Sequence, residues 1–437
     1  MHNKQRQITV QDYPYLVSEY LKKRDMYKYR ADNTVLFNQF CNNYDGRIIT
    51  NRGRNQNVYI GYPWCKTICP FCVYTSGRID KPASIEEYVD LLTIESKLLG
   101  LSSGQTTSLY WGGGTPTMLD TSSLKYFLQK TSGLLSFSEN AVVTIESNVE
   151  NLTTEKLDVM AKYANRLSIG VQRFTDINRL KLGRNTKQQQ VIDALKLAAQ
   201  YFDNINIDII YGVDKDSVES IMTELSFMID IGIRSATLYK QEFFVNGLRS
   251  HTYKAYMPNN VECAKIHEAA SVFLSENGFI EQPIGWFRKE DVRLANWKSR
   301  LDGWGEYPDY FGLGPNAYSH LDNMYIKNTD VYNDYKTELT NNRLPVNRYR
   351  NKSLIEKGVQ LFVRKFRLNQ RIAKNDLIFS FVEYPNFFEE LQNLFQSQLY
   401  VLFFENENDE FILRRQYYTI INWIINDICE IACKHVR

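Results

Sequence analysis

An excess of charge of either sign is missing from this chain: 52 Lys and Arg stand against 50 Asp and Glu, a net +2 over 437 residues. A dedicated nucleic-acid binder shows a clear basic excess, so no nucleic-acid partner is expected. Long apolar runs are missing too. None approaches the roughly 18 residues a membrane helix needs, so no membrane partner is expected either. The opening stretch MHNKQRQITVQDY lacks the apolar core of a signal peptide. Cysteine is scarce, with seven residues in all, too few and too uneven for a disulfide scaffold. Aromatic residues, by contrast, make up 14% of the chain and argue against disorder. The expectation is a folded cytoplasmic chain of two or three domains.

From residue 56 onward, short apolar β-rich runs alternate with helical patterns. Strands are expected at Val58–Tyr62, Ser108–Gly112, Ala141–Ser147, Arg166–Val171, Asn206–Ile210 and Ala236–Lys240. Helices are expected at Ser84–Leu99, Ser122–Thr131, Thr154–Tyr163, Lys187–Tyr201 and Val218–Ile231. The first is opened by the capping box Ser84-x-x-Glu87, the fourth by Thr186-x-x-Gln189. Six β-then-α units in series call for right-handed crossovers and a parallel sheet. The fold class is α/β, a partial (β/α)6 TIM-type barrel with its chemistry at the C-terminal strand ends.

Residues 1–55 form an extension before the barrel of residues 56–340. Its stretch Lys22–Arg30 interleaves basic and aromatic residues and reads as a solvated amphipathic helix face in preference to a nucleic-acid or anionic-ligand patch. Residues 341–437 form a small winged-helix-like α+β domain. Helices are expected there at Leu354–Val363 and Asn386–Gln396. A wing of two strands, Tyr400–Phe404 and Phe411–Arg415, follows around the acidic turn Glu405–Glu410. A last helix carries Ile421, Ile424, Ile425 and Ile428 on one face.

The chemistry is concentrated in Cys65-Lys-Thr-Ile-Cys69-Pro-Phe-Cys72, directly after the first barrel strand. A structural zinc would want four N/S ligands, and no nearby His or Cys offers a fourth. Three thiolates on a [4Fe-4S] cluster leave one iron open to an outside ligand. Cys41 and Cys263 stand alone. Cys429 and Cys433, four apart on the last helix, read as small core residues. His320 is open to either a structural or a cavity-lining role.

This spacing resembles the radical S-adenosylmethionine (SAM) superfamily, and within it the HemN-like family of oxygen-independent coproporphyrinogen III dehydrogenases. Further motifs carry the resemblance: Tyr59–Cys65 (YIGYPWC), Trp111–Thr117 (WGGGTPT), Glu146, Arg166–Phe174 (RLSIGVQRF), Gly183-Arg184, Asp208–Gly212 (DIIYG) and Gly312–Ser319 (GLGPNAYS). It implies a [4Fe-4S] cluster on Cys65, Cys69 and Cys72, with SAM on the open iron. One electron then cleaves SAM to a 5′-deoxyadenosyl radical, so a one-electron reductant such as flavodoxin or ferredoxin is an expected partner. The resemblance places Tyr59, Phe71, Gly113, Gly114, Thr115, Glu146, Gln172, Arg184 and Asp208 around one or two SAM molecules. Gln241 and Tyr318 align more loosely with SAM-contacting positions. The catalytic residues are unassigned, with Tyr74 and Tyr318 as candidates.

Two positions depart from that pattern. The dehydrogenase and the related haem chaperone carry a His where this chain has Gly61. The dehydrogenase also carries a fourth Cys where this chain has Tyr74. The SAM machinery is retained while the substrate side has changed. That combination suits the class C branch, two-SAM methyltransferases and cyclopropanases that add a methylene carbon to an sp2 carbon of a small molecule. Oxidative decarboxylation of a coproporphyrinogen and haem carriage are the alternatives.

Overall fold

In the computed structural model the described residues are 55–67, 69–72, 83–213, 215–241, 260–282, 284–292, 309–321, 324–375 and 384–435. The N-terminal extension with its Lys22–Arg30 stretch, Cys41, Tyr74 and the side chain of Cys433 lie outside them. The first half runs β1 (Asn55–Tyr62), α1 (Ile85–Leu98), β2 (Gln105–Gly113), α2 (Thr121–Ser132), β3 (Ser136–Asn148), α3 (Thr154–Met160) and β4 (Arg166–Gln172). Then come α4 (Asp176–Lys181), α5 (Gln188–Ala198), β5 (Ile205–Tyr211), α6 (Val218–Ile231), β6 (Ser235–Lys240) and α7 (Asn260–Glu276). Strands β1 to β6 pair in sequence order, all parallel. This is the parallel α/β arrangement that serial β-α units dictate.

The helix starts follow local chemistry. Ser84, Asp120, Thr153 and Ser217 each accept the backbone N–H three residues on, opening α1, α2, α3 and α6. The expected cap at Thr186 is an exception. Helix α5 begins one residue later, with Lys187 as cap, and the Thr186 hydroxyl donates to Glu150 instead. Helix α3 ends at Met160, three residues before the expected Tyr163.

Both sheet edges extend. Short antiparallel β7 (Ile280–Glu281) and β8 (Trp286–Arg288) continue from β6. On the other side β9 (Asp309–Leu313) runs parallel to β1, and antiparallel β10 (Tyr318–His320), β11 (Met324–Asn328) and β12 (Val346–Asn351) follow. Helix α8 (Tyr332–Thr340) joins the last two. The outward strand faces bury Ile60, Trp111, Ile145, Ile169 and Ile207 against the helices, none of them exposed.

A second cluster of buried residues gathers around Phe366, Leu391, Phe395, Ile424 and Ile428. It is built from α9 (Leu354–Asn369), β13 (Arg371–Ala373), α10 (Pro385–Gln396), α11 (Gln398–Phe403), β14 (Phe404–Glu407), β15 (Glu410–Leu413) and α12 (Ile421–Lys434). Cys429 is fully buried there, as a core residue should be. The wing is displaced from its expected place. Tyr400 lies on α11, buried, its hydroxyl 2.6 Å from Asp427, and the hairpin turns at Asn408-Asp409 with both residues at positive φ. Two successive left-handed residues make the tight turn that suits strand twist; the first wing strand starts four residues later than expected and the second one residue earlier.

Candidate functional site

Alternation along the strands decides what the parallel sheet offers on its inner face. Tyr59 and Gly61 on β1 share a face, as do Ser108, Tyr110 and Gly112 on β2, Thr144 and Glu146 on β3, and Arg166, Ser168, Gly170 and Gln172 on β4. Asn206 and Asp208 on β5 and Thr237 and Tyr239 on β6 complete a polar lining. Asn206 bridges strands, donating to Ser168 at 3.2 Å and Asp208 at 3.0 Å while accepting from Ser235 at 2.9 Å. The Tyr110 hydroxyl donates to Glu146 at 2.5 Å. Burial, then the Glu146 and Asp208 carboxylates, push the Tyr110 phenol well above its ordinary pKa. Ser108 Oγ, Thr144 Oγ1 and Arg166 Nε are buried with no hydrogen-bond partner among the described residues. Orphaned polar atoms side by side on three adjacent strands mark an interior built for polar contents.

At the top of this wall the cysteine loop is fastened to the glycine turn. Gly114 N–H donates to Tyr62 O at 2.6 Å, and Thr115 N–H to Trp64 O at 3.0 Å. A Cβ on Gly114 would run into the Trp64 backbone, so only glycine permits this approach. Thr115 Oγ1 lies 3.7 Å from Cys65 Sγ. Gly113 N–H donates to Glu146 Oε2 at 3.2 Å. The ring of Tyr59 stacks on Tyr110 with centroids 6.1 Å apart. Cys65, Cys69 and Cys72 are all part-exposed, and Cys72 N–H closes a turn onto Cys69 O at 3.1 Å. Beneath them Tyr62, Trp64, Tyr88 and Phe127 pack edge-to-face and stacked.

A third corner comes from the segment after β4. Gln172 ends that strand at φ 68°, a left-handed backbone unusual for a non-glycine residue, with only 9% of its surface exposed. The Arg184 guanidinium sits over the Phe71 ring, 5.8 Å from its centroid. Its Nη1 is 3.6 Å from Glu150 Oε2, and its Nε is buried without a hydrogen-bond partner among the described residues. Burial raises the Cys69 thiol pKa, and the Arg184 charge opposes that rise.

The geometry thus brings three thiols, a glycine cradle, the Glu146 carboxylate and an arginine with an unspent donor to one end of a parallel sheet. The family model described as the radical SAM superfamily matches residues 59–227. A heme chaperone HemW from Buchnera aphidicola is 25% identical over 349 residues, 78% of this chain and 88% of that protein. An oxygen-independent coproporphyrinogen III oxidase from Cereibacter sphaeroides is 24% identical over 337 residues, 72% of this chain and 74% of the other. The solved structure of the coproporphyrinogen III oxidase HemN from Escherichia coli superposes with a TM-score of 0.77, covering 91% of this chain and 95% of that one at 19% identity. Residues 59–227 thus form a radical SAM domain, and along most of its length the chain is similar to HemN-like proteins.

A radical SAM domain implies a [4Fe-4S] cluster and SAM, and the residues present fit both. Among the described residues, no three His, Cys, Asp or Glu side chains converge tightly enough to hold a single metal ion. A four-iron cluster asks for something else: a thiolate on each of three irons, from sulfurs spread around a larger group, with the fourth iron left open. Part-exposed thiols on one short loop provide that. Arg184 Nε is the donor left unpartnered beside the cysteine loop among the described residues.

Some sequence expectations are displaced. Asp208 is the fourth of seven residues on β5, within the strand rather than at its end. It still joins the site through Asn206 and the field at Tyr110. Tyr318 is 43% exposed, with Lys327 Nζ 5.2 Å from its ring centroid, so the described contacts place it against β11. Gln241 is buried after β6, its backbone N–H donating to Tyr211 O at 2.7 Å. His320 packs edge-on to Tyr325, centroids 4.3 Å apart, a structural contact. Sequence reasoning missed Tyr110, Glu150 and Arg166. The alternation of Ser108, Tyr110 and Gly112 is the signal that could have found Tyr110; Glu150 carries none in sequence.

Proposed function

We propose that the protein is a two-SAM enzyme that transfers a SAM-derived methyl or methylene carbon to an sp2 carbon of a small molecule. Gly61 carries this reading. It shares the inner face of β1 with Tyr59, and a Cβ there would stand 3.2 Å from Tyr59 Cε1 and 3.4 Å from Leu313 O. The histidine that the resemblance expects at this place would have to displace the Tyr59 ring from its stack on Tyr110. The substrate-side imidazole is therefore replaced by aromatic packing, while every described position on the SAM side is retained.

In this reading Cys65, Cys69 and Cys72 hold the cluster. Gly113, Gly114, Thr115 and Glu146 hold the SAM bound to it. Tyr59, Phe71, Gln172, Arg184 and Asp208 line the space shared with a second SAM, with Gln241 and Tyr318 at its rim. Tyr74 and Tyr318 are the candidate hydrogen or proton donors to product. Bound cluster and SAM supply radical chemistry, and an external carrier such as flavodoxin or ferredoxin supplies the electron. The chain's own contribution is position. Holding a second SAM methyl beside the first converts a bimolecular abstraction into an intramolecular one, worth up to about 7–11 kcal/mol. Residues 1–55, 56–340 and 341–437 are the extension, catalytic and C-terminal units in this scheme, and the cytoplasm is its setting.

The test supplies SAM with a trideuterated methyl group. Deuterium should enter 5′-deoxyadenosine, S-adenosylhomocysteine should accumulate, and the product should keep two deuterons or fewer. Deuterium-free deoxyadenosine with no homocysteine product would replace this reading with an oxidase. The similarity to the heme chaperone HemW favours a second reading, haem carriage. A stoichiometric Soret band on haem titration, without deoxyadenosine formation, would establish it.

A further inference from the structure

The expected helix cap at Thr186 is not made, because the threonine hydroxyl goes to Glu150 on the loop after β3. Local rules that fail in an otherwise consistent fold tend to fail at functional sites, and the partners of Glu150 show what is gained. One carboxylate oxygen takes the Thr186 hydroxyl and lies 3.6 Å from Arg179 Nη2; the other lies 3.6 Å from Arg184 Nη1. Arg179 is itself fixed. Its Nε donates to Thr186 O at 2.6 Å, and its Nη1 donates to Val171 O at 2.8 Å and Arg173 O at 2.7 Å. Arg184 N–H returns to Arg179 O at 2.9 Å. The Gly183-Arg184 turn is thus wrapped around Arg179 and closed by Glu150, and it presents Arg184 to Phe71 and the cysteine loop.

We propose that Glu150 is the positioning residue for Arg184: it aims the guanidinium over Phe71 and leaves the fork's buried Nε free to bind the carboxylate of SAM. The proposal rests on the reading of Arg184 as a SAM ligand, and nothing in it depends on methyl transfer. Glu150 touches no reacting atom. Its carboxylate also borders a surface hollow of about 370 Å³ shared with Thr186, Gln190 and Asp193, so both its charge and its shape are open to variation without disturbing a packed core.

The experiment compares wild type, Glu150→Gln, Glu150→Asp, Arg184→Lys and the Glu150→Gln/Arg184→Lys pair as full-length, cluster-reconstituted protein. The readouts are iron content, SAM dissociation constant, and the change in the reduced cluster's electron paramagnetic resonance spectrum when SAM is added. Glu150→Gln keeps the Thr186 contact but removes the charge. It should keep full iron, weaken SAM binding about 5-fold, the scale of a part-exposed ion pair, and broaden the SAM-induced spectrum. Glu150→Asp should recover part of the affinity. The double variant should bind SAM no worse than Arg184→Lys alone, because Glu150 acts through that side chain. Wild-type affinity in Glu150→Gln, or additive losses in the double variant, would overturn the proposal. A wild-type protein with a full cluster that binds no SAM would overturn the reading of Arg184 itself, and the role of Glu150 with it.

Discussion

At the scale of single residues, the site depends on how closely side chains approach a backbone. Gly112 is a tight case on the inner wall: a Cβ there would stand 2.6 Å from Glu146 Oε2. Gly112→Ala should push Glu146 off Gly113 N–H and the Tyr110 hydroxyl. A lost hydrogen bond to a charged group costs about 1.5–3 kcal/mol of stability, so the melting temperature should fall, and SAM affinity should fall with it as the displaced Glu146 leaves its place. Equilibrium binding under anaerobic conditions checks this; unaltered affinity would remove Glu146 from the SAM site. The thiols make a sharper prediction. Replacing Cys65, Cys69 and Cys72 together with Ala should abolish the iron and sulfide, about four of each per chain in the reconstituted wild type, and the broad visible absorbance with them. The cysteine run and the glycine turn were legible in the sequence because each is a contiguous motif. The Tyr110–Glu146 and Glu150–Arg184 pairs were not, because each joins residues more than thirty positions apart that only the sheet brings together.

At the scale of elements, Glu95 holds the extended sheet edge to the barrel. It is buried on α1 and accepts Gly314 N–H at 2.9 Å, Asn328 Nδ2 at 2.6 Å and the Tyr335 hydroxyl at 2.5 Å, from the β9–β10 turn, β11 and α8. Burial raises its pKa from 4.5 to about 7, even though those three donors pull it down. An acid whose pKa is raised on folding binds its proton more tightly in the native state. Its contribution to stability is full below the unfolded value near 4.5 and disappears as pH rises through about 7. Glu95→Gln cannot titrate, so the difference in melting temperature between wild type and variant should fall steadily over that window and level off above it. A constant difference would mean that Glu95 does not titrate there. Periodicity and caps forecast α1 itself closely, from Ser84 to Leu99 against the observed Ile85–Leu98. Its buried carboxylate was invisible, since its three partners come from more than 200 residues downstream.

At the scale of the whole molecule, the catalytic sheet and the C-terminal layer meet along α7. The segment Arg415–Ile420 packs against α7, and Ile284, in the turn before β8, packs on the C-terminal core. Gln282 Nε2 reaches Asn369 Oδ1 at 3.5 Å across the same seam. Ile284→Asp should cost about 1–2 kcal/mol, below the 2–5 of a fully buried large-to-small change because Ile284 is only partly buried. Amide exchange should rise in 415–420 while α12 keeps its protection. Equal loss in both would make the two layers one cooperative unit. No helix among the described residues is long and apolar enough to cross a membrane.

By itself the sequence determined the serial strand-and-helix order up to Lys240, the cysteine loop after β1 and the resemblance that names its chemistry. Caps, turns and motifs act over a few residues, so a local reading can reach them. Only the tertiary structure decided what those elements face. Strand register turned alternating residues into a polar inner wall and set Tyr110 on Glu146. The bend after β4 placed Gln172 in left-handed backbone, and the Thr186 hydroxyl left its helix for Glu150. Each of these depends on which strand lies beside which, and that is fixed by burial across the whole sheet, not by neighbours along the chain.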